Sequence, residues 1–418
     1  MYQVDVPREM DDYTTLPPTA AKDKLKPFNI HIEEHKVQDL KALVRLSPVV
    51  QSTYENAAER REEGHDFGVT REWLIDAKKI WEEEFDWRTH ESHLNTFPQY
   101  TALITDSDNL PYTIHFCALF SHRTDATPLA RLSGWPCTFA ESLPLLSLLR
   151  EKYTPGTLPY HIILPSQPGW PFSSAPPTDR DWTYADSARV LDKLMREVLG
   201  FREYAVSGGD IGAGIGRYMA VRHEACKVFH TNHNHMPRPE DVADTPLPLT
   251  QDEKEGVARG EDFMAKGTAY GRMAGTRPGT LGAVLAASPL ALLAWVGEKY
   301  AAWADPRTPV PLGHVLEAVS MYWFTGASAT TLYPYREDYL TGVTKKGYLH
   351  GQEELYVDKP MGYSFFPKEL APCPRSWAES TGRLMWFRRH EVGGHFPSLE
   401  RGEALLGDLE DWLGEVWK

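Results

Sequence analysis

The chain has 418 residues, 42% of them hydrophobic and 24% charged, with a formal net charge of −14. This is a globular composition, long enough for one large domain with insertions or for two domains. Its acidity argues against nucleic acid or an anionic membrane surface as a partner.

The start of the chain is polar and proline-bearing as far as about Lys26, which predicts an extended arm. It lacks the basic and then apolar run of a secretory leader. From Gln38 to Trp87 the pattern is helical. Leu40, Leu43 and Val44, then Trp73, Leu74, Ala77, Ile80 and Trp81, recur at spacings of three and four. Residues 1–99 are therefore expected to form an arm and a helical accessory layer. From Tyr100 short apolar runs alternate with helical stretches such as Thr183–Leu199 and Ile215–His223. The expected strands are Thr113–Phe120, Leu129–Leu132, His161–Leu164, Tyr204–Ser207, Lys227–Thr231, Gly362–Phe366 and Arg383–Phe387. Strand alternating with helix predicts an α/β fold: a mostly parallel sheet with helices on both faces.

The strand pattern stops near Met236 and resumes near Met361. The expected organisation is a core in two parts, 100–236 and 346–418, with a helical cap over 237–345 between them. Within the cap, Thr280 to Gly297 is uncharged and rich in leucine and alanine, but Pro289 interrupts it. A buried helix pair is expected there rather than a membrane span. Cys117, Cys137, Cys226 and Cys373 form no Cys-x-x-Cys pair, which fits reduced thiols and a cytoplasmic location.

The most informative residues are Gly208-Gly209-Asp210-Ile211-Gly212, which follow a strand-like run and precede a helix expected to start near Ala213. This is the Gly-x-Ser-x-Gly nucleophile turn with aspartate in place of serine. Two further readings compete for this stretch. Asp210 could be a helix N-cap. The run Gly212-Ala213-Gly214-Ile215-Gly216 could be a phosphate loop, but it has no Gly-x-Gly-x-x-Gly register and no Walker lysine. As a nucleophile, aspartate selects attack on a saturated carbon with a leaving group. The resulting ester can be cleaved by water, whereas serine would leave an inert ether. Epoxides and alkyl halides are the electrophiles of that kind.

Such chemistry needs a base for the second step. Its order in the chain should be nucleophile, acid, histidine. His395, in Glu391-Val392-Gly393-Gly394-His395-Phe396, lies just after the last strand. Glu369 follows the strand Gly362–Phe366, on the edge where open α/β sheets place their sites. Asp358 and Glu379 compete with it for the acid's role. His230, His233 and His235 could suggest a metal site. On an extended stretch His233 and His235 share a face and His230 points away, and no usual zinc spacing or neighbouring acid accompanies them.

With these residues in place, the sequence resembles the epoxide hydrolases of the microsomal type, including their soluble fungal members. Several motifs carry the likeness. They are Phe85-Asp86-Trp87-Arg88 with Leu94-Asn95-Thr96-Phe97-Pro98-Gln99, Ser133-Gly134-Trp135-Pro136, Pro165-Ser166-Gln167-Pro168-Gly169, the Asp210 turn, Thr276-Arg277-Pro278-Gly279-Thr280, Leu293 to Lys299, and Gly393-Gly394-His395-Phe396. The resemblance covers the chain from about Phe28 onward and implies an α/β-hydrolase fold. It implies Asp210 as nucleophile, His395 as water-activating base and Glu369 as its acid. Tyr270 and Tyr335 would be the cap tyrosines that hydrogen-bond the epoxide oxygen, with Tyr333 the competitor for the latter. The backbone N–H groups of Trp135 and Ile211 would form the oxyanion hole. Ser133 departs from the family pattern, which has histidine there.

The expected reaction converts an epoxide and water to a vicinal diol, with no cofactor and no metal. The partner is a small epoxide, apolar or aromatic given Tyr300, Trp303, Tyr322, Trp323 and Phe324 in the cap; a homodimer is compatible with the sequence. A haloalkane dehalogenase would need side-chain N–H donors for the halide, which Ile211 cannot supply. The same fold could also serve an epoxide-opening cyclase or a non-catalytic binding protein. With an ordinary histidine pKa near 6.5, activity is expected to fall in acid as His395 becomes protonated.

Overall fold

The computed structural model describes residues 12–57, 67–236, 249–339 and 349–418. Its strands are β1 (Leu25–Pro27), β2 (Gln99–Thr105), β3 (Pro111–Leu119), β4 (Thr127–Leu132), β5 (Tyr160–Pro165), β6 (Tyr204–Gly208), β7 (Cys226–Thr231), β8 (Val357–Phe365) and β9 (Gly382–Arg389). They form one nine-stranded sheet in the order β1-β2-β3-β5-β4-β6-β7-β8-β9. The pairings from β5 through β9 are parallel, and β1, β2 and β3 continue the sheet antiparallel. β4 and β6 are buried along their whole length, as expected of parallel strands covered on both faces. The chain runs from β4 outward to β5 and then returns to the other side of β4 as β6. The crevice at that reversal, beyond the carboxyl ends of the strands, is where sites form in open α/β sheets.

The seven expected strands overlap β3 to β9. β1 and β2 were not among them. β1 is three residues long and belongs to the segment expected to be an arm; it pairs with β2, and the Phe28 N–H continues the ladder to the Gln99 carbonyl at 2.8 Å. The helical pattern from Gln38 to Trp87 resolves into Glu34–Leu46 and Arg71–Glu83, with Trp87–Leu94 following. Ser47 ends the first helix. Thr70 caps the second by accepting from the Trp73 N–H at 3.1 Å. The helix after β6 begins at Asp210 rather than near Ala213 and runs to Arg222.

The interval assigned to a cap is helical from Gln251 to Tyr339; its residues 237–248 and 340–345 lie outside the described ones. Thr250 opens it with a capping box to Glu253. The apolar stretch is two helices, Pro278–Ala287 and Pro289–Trp303, bent by 115°. Ser288 caps the second by accepting from the Ala291 N–H, and Pro289 occupies its first turn, where its missing N–H costs no hydrogen bond. Among the described residues no single helix is long and apolar enough to cross a membrane.

The accessory helices clasp the cap as well as the sheet. His90 Nδ1 lies 2.7 Å from Glu317 Oε2, and the Trp87 ring packs edge-on against Phe324 at 4.9 Å. Gly297 allows the Trp73 ring to close on the cap: a Cβ there would lie 2.4 Å from a ring carbon.

Candidate active site

The turn after β6 places Asp210 at φ +50°, a conformation rare for any residue with a Cβ. Close packing on both sides holds it. A Cβ on Gly212 would meet the Leu132 carbonyl oxygen at 2.4 Å, and one on Gly134 would meet the Asp210 Cβ at 2.3 Å. Glycine at these two positions lets the loop after β4 lie directly against the turn that carries Asp210. As a result the Trp135 N–H donates to Asp210 Oδ1 at 2.9 Å. Ile211 is the second residue of the helix, so its N–H belongs to the first turn, which lacks intrahelical partners.

The other carboxylate oxygen, Oδ2, faces His395 Nε2 at 3.6 Å, and His395 Nδ1 lies 2.5 Å from Glu369 Oε1. Both His395 and Glu369 are buried. Glu369 also accepts from the Leu370 N–H at 2.6 Å and from Asn232 Nδ2 at 3.4 Å. The competing acids lie elsewhere: Asp358 is exposed, and Glu379 pairs with Arg375 on the surface. Burial works against charge on Glu369, but His395 and His233 hold its carboxyl well below the usual range. Burial likewise opposes charge on His395. The carboxylates of Glu369, Asp210 and Glu141 overcome it and hold the imidazole up to about 9. The protonated imidazole is thus favoured while these carboxylates carry their charge.

The helices between Gln251 and Tyr339 supply the opposite wall. The Tyr270 and Tyr335 rings meet edge-on with centroids 5.5 Å apart, and both contact Trp135: Tyr270 stacked at 5.6 Å and Tyr335 edge-on at 5.7 Å. The Tyr335 hydroxyl is buried without a hydrogen bond of good geometry. Burial and the nearby Asp210 carboxylate push both phenols well above their ordinary pKa, so both keep their protons. Tyr333, by contrast, bonds Ser187 Oγ at 2.7 Å and packs edge-on against Trp170. Trp303 completes an aromatic enclosure, 5.1 Å from Tyr270 and 5.0 Å from the His395 ring. Ser133, the departure from the family pattern, accepts from Gln167 Nε2 at its carbonyl at 2.5 Å, which anchors the loop.

The loop that carries His395 is fastened to the cap. The His395 N–H donates to the Trp303 carbonyl at 3.1 Å, and the Gly393 N–H donates to Asp305 Oδ2 at 2.9 Å. The Glu400 carboxylate accepts from Asp305 N, Gly394 N and Phe396 N at 2.7–2.9 Å. The contacts with the cap are not apparent from local sequence, because the partners are about 90 residues apart.

Of the three histidines considered for a metal, His230 lies inside the sheet between Ser207 Oγ at 3.0 Å and Ser364 Oγ at 2.9 Å. His233 instead turns toward Glu369, with Nδ1 3.5 Å from Oε1, so an acid does accompany it from a distant segment. Ligand atoms of His233, Glu369 and His395 lie within 4.8 Å of one another. The 2.5 Å separation of His395 and Glu369 is shorter than the edge of about 3.3 Å that tetrahedral zinc requires. The set fits a hydrogen-bonded pair better than an ion.

Comparison with known proteins gives a consistent result. Residues 25–142 match the family described as epoxide hydrolase N terminus, and residues 132–361 match the α/β hydrolase fold family. A Dothistroma septosporum protein named "Putative epoxide hydrolase" is 45% identical over 406 residues, which cover 97% of this chain and 93% of that one. Epoxide hydrolase 1 of Sus scrofa is 27% identical, with 95% of this chain and 90% of the relative covered. The solved structure of Aspergillus niger epoxide hydrolase superposes with a TM-score of 0.88 at 46% identity, covering 97% of this chain and 100% of that one.

Proposed function

The chain belongs to the epoxide hydrolase family on an α/β-hydrolase fold, and from that premise we propose that Asp210, His395, Glu369, Tyr270 and Tyr335 carry its hydrolysis of an epoxide to a vicinal diol. The observation that carries this assignment is the division of labour between the two Asp210 oxygens. Oδ1 is held by the Trp135 N–H and Oδ2 faces His395. Oδ2 is the attacking atom. Oδ1 becomes the ester carbonyl oxygen and is already seated where an oxyanion must be stabilised.

In the first step Oδ2 bonds to an epoxide carbon as the ring C–O bond breaks. The departing oxygen takes a proton from the Tyr270–Tyr335 pair. The imidazolium of His395 restores that proton through water and becomes neutral. Esterification also removes the Asp210 charge, one of the groups that held the proton on His395. In the second step neutral His395, oriented by Glu369, takes a proton from water as its oxygen attacks the ester carbonyl. The tetrahedral oxyanion is held by the N–H groups of Trp135 and Ile211. On collapse the departing alkoxide takes the proton of the newly added hydroxyl, which releases the diol and returns the carboxylate–imidazolium pair. One epoxide and one water are consumed, with no net proton exchanged.

Residues 237–345 act as the cap in this reading, between core parts 100–236 and 346–418. The aromatic enclosure of Trp135, Tyr270, Trp303 and Tyr335 favours an apolar or aromatic epoxide. Four unpaired, buried cysteines support action in a reducing compartment such as the cytoplasm. A single turnover in heavy-oxygen water tests the covalent step. Label is expected in the Asp210 carboxylate and not in the first diol; label in the first diol would mean direct hydration. Asp210→Asn should lower diol formation from an aryl epoxide by about 10³-fold or more.

A further inference from the structure

Lys299 is a buried cation that the mechanism above leaves unused. It lies in the helix Pro289–Trp303, and its side chain is only 3% exposed. Its ammonium sits 4.9 Å from the centre of the Tyr270 ring and 5.1 Å from that of Trp295. A carboxylate neighbour, Glu298 Oε2 at 2.7 Å, is itself over one third exposed. An ammonium taken out of water is costly unless its surroundings favour it. The face of an aromatic ring does so within about 6 Å of the centroid, because the ring quadrupole presents negative charge there.

We propose that Lys299 is a positioning residue for the first chemical step, acting through the Tyr270 ring to favour proton donation to the opening epoxide. The inference rests on the donor role assigned to Tyr270 in the preceding reading. As the hydroxyl gives up its proton, electron density on the ring rises and the attraction of the ammonium for it grows. An interaction that strengthens on the way to the transition state accelerates the reaction, whereas one of constant strength does not. The phenol proton is held in place by burial and by the Asp210 carboxylate, with smaller contributions from Tyr339 and Asp338, and the Tyr335 hydroxyl opposes them. The same ammonium bridges Tyr270 and Trp295, so it fixes where the ring lies as well as how readily it donates.

A double-mutant cycle with Tyr270→Phe tests this, read as the rate of ester formation in single turnovers followed by rapid quench. Lys299→Met should slow ester formation about tenfold in the otherwise native enzyme and by less than about twofold in the Tyr270→Phe background. Ester hydrolysis should be unchanged in both. Lys299→Arg, which keeps a cation over the ring, should stay within about threefold of native. An equal loss in both backgrounds, or a loss confined to ester hydrolysis, overturns the role of Lys299 and leaves the donor role of Tyr270 standing. A Tyr270→Phe enzyme with native ester formation removes the donor reading itself. Should Lys299→Met fail to fold, Lys299→Gln and Lys299→Arg complete the cycle with the same criteria.

Discussion

His395 answers to three carboxylates, those of Glu369, Asp210 and Glu141, and under the proposed mechanism the charge of Asp210 is lost and regained in each turnover. Removing the Asp210 charge by Asp210→Asn should therefore lower the His395 pKa from about 9, readable by NMR titration of the imidazole; an unmoved pKa would separate the base from the nucleophile. The same raised value makes protonated His395 a source of stability. That contribution is fully present below the unfolded value near 6.5 and is lost as pH rises through about 9. A denaturant series across this range should show stability falling in wild type and falling less in His395→Gln. Glu369→Gln leaves the ring without its charged partner and should lower kcat by about 10²-fold or more, most in ester hydrolysis. At this scale chain order and strand position single out Asp210, His395 and Glu369 as candidates, and the structure brings the three together. Tyr270 and Tyr335 were legible only through family likeness, since nothing local separates them from other tyrosines. Lys299, Glu400 and Asp305 were not legible, because their partners lie on elements distant in sequence.

Elements were readable where periodicity was long and less so where an edge or a turn decided the outcome. β4 and β6 are buried throughout and β5 nearly so, and seven strands were located, with β8 beginning five residues before the expected Gly362. β2 mixes buried and exposed positions near a sheet edge, and β1 is too short to show a period. The helix after β6 starts three residues earlier than its pattern suggested, because the turn places Asp210 directly in its first turn. The histidine loop offers the sharpest test of an element. A Cβ on Gly394 would lie 2.6 Å from the Asp305 nitrogen and 2.8 Å from the Trp303 carbonyl oxygen. Gly394→Ala should destabilise the protein by about 1–3 kcal/mol and lower kcat more than it changes KM, as measured by urea melts and steady-state rates. Native values for both would mean that this approach is not needed.

For the whole molecule, alternation pointed to the parallel sheet and to a helical interval after β7, but not to the contact between that interval and the N-terminal helices. Trp87 is almost fully buried and reaches Phe324 of the cap. Trp87→Ala should cost about 3–5 kcal/mol, seen as an earlier unfolding midpoint with kcat preserved at low temperature. The fastening of the His395 loop to Trp303, Asp305 and, through Glu400, back to the cap bears on how such enzymes can be recombined. Under the proposed mechanism the general base is half supported by the helical interval Gln251–Tyr339, so that interval is not an interchangeable module. A chimera that exchanges residues 249–339 for those of a relative inherits a foreign seat for its own histidine. Crossovers that carry the 303–305 and 393–400 segments together keep that seat intact, and libraries built on those joints should retain far more active members than libraries that split them.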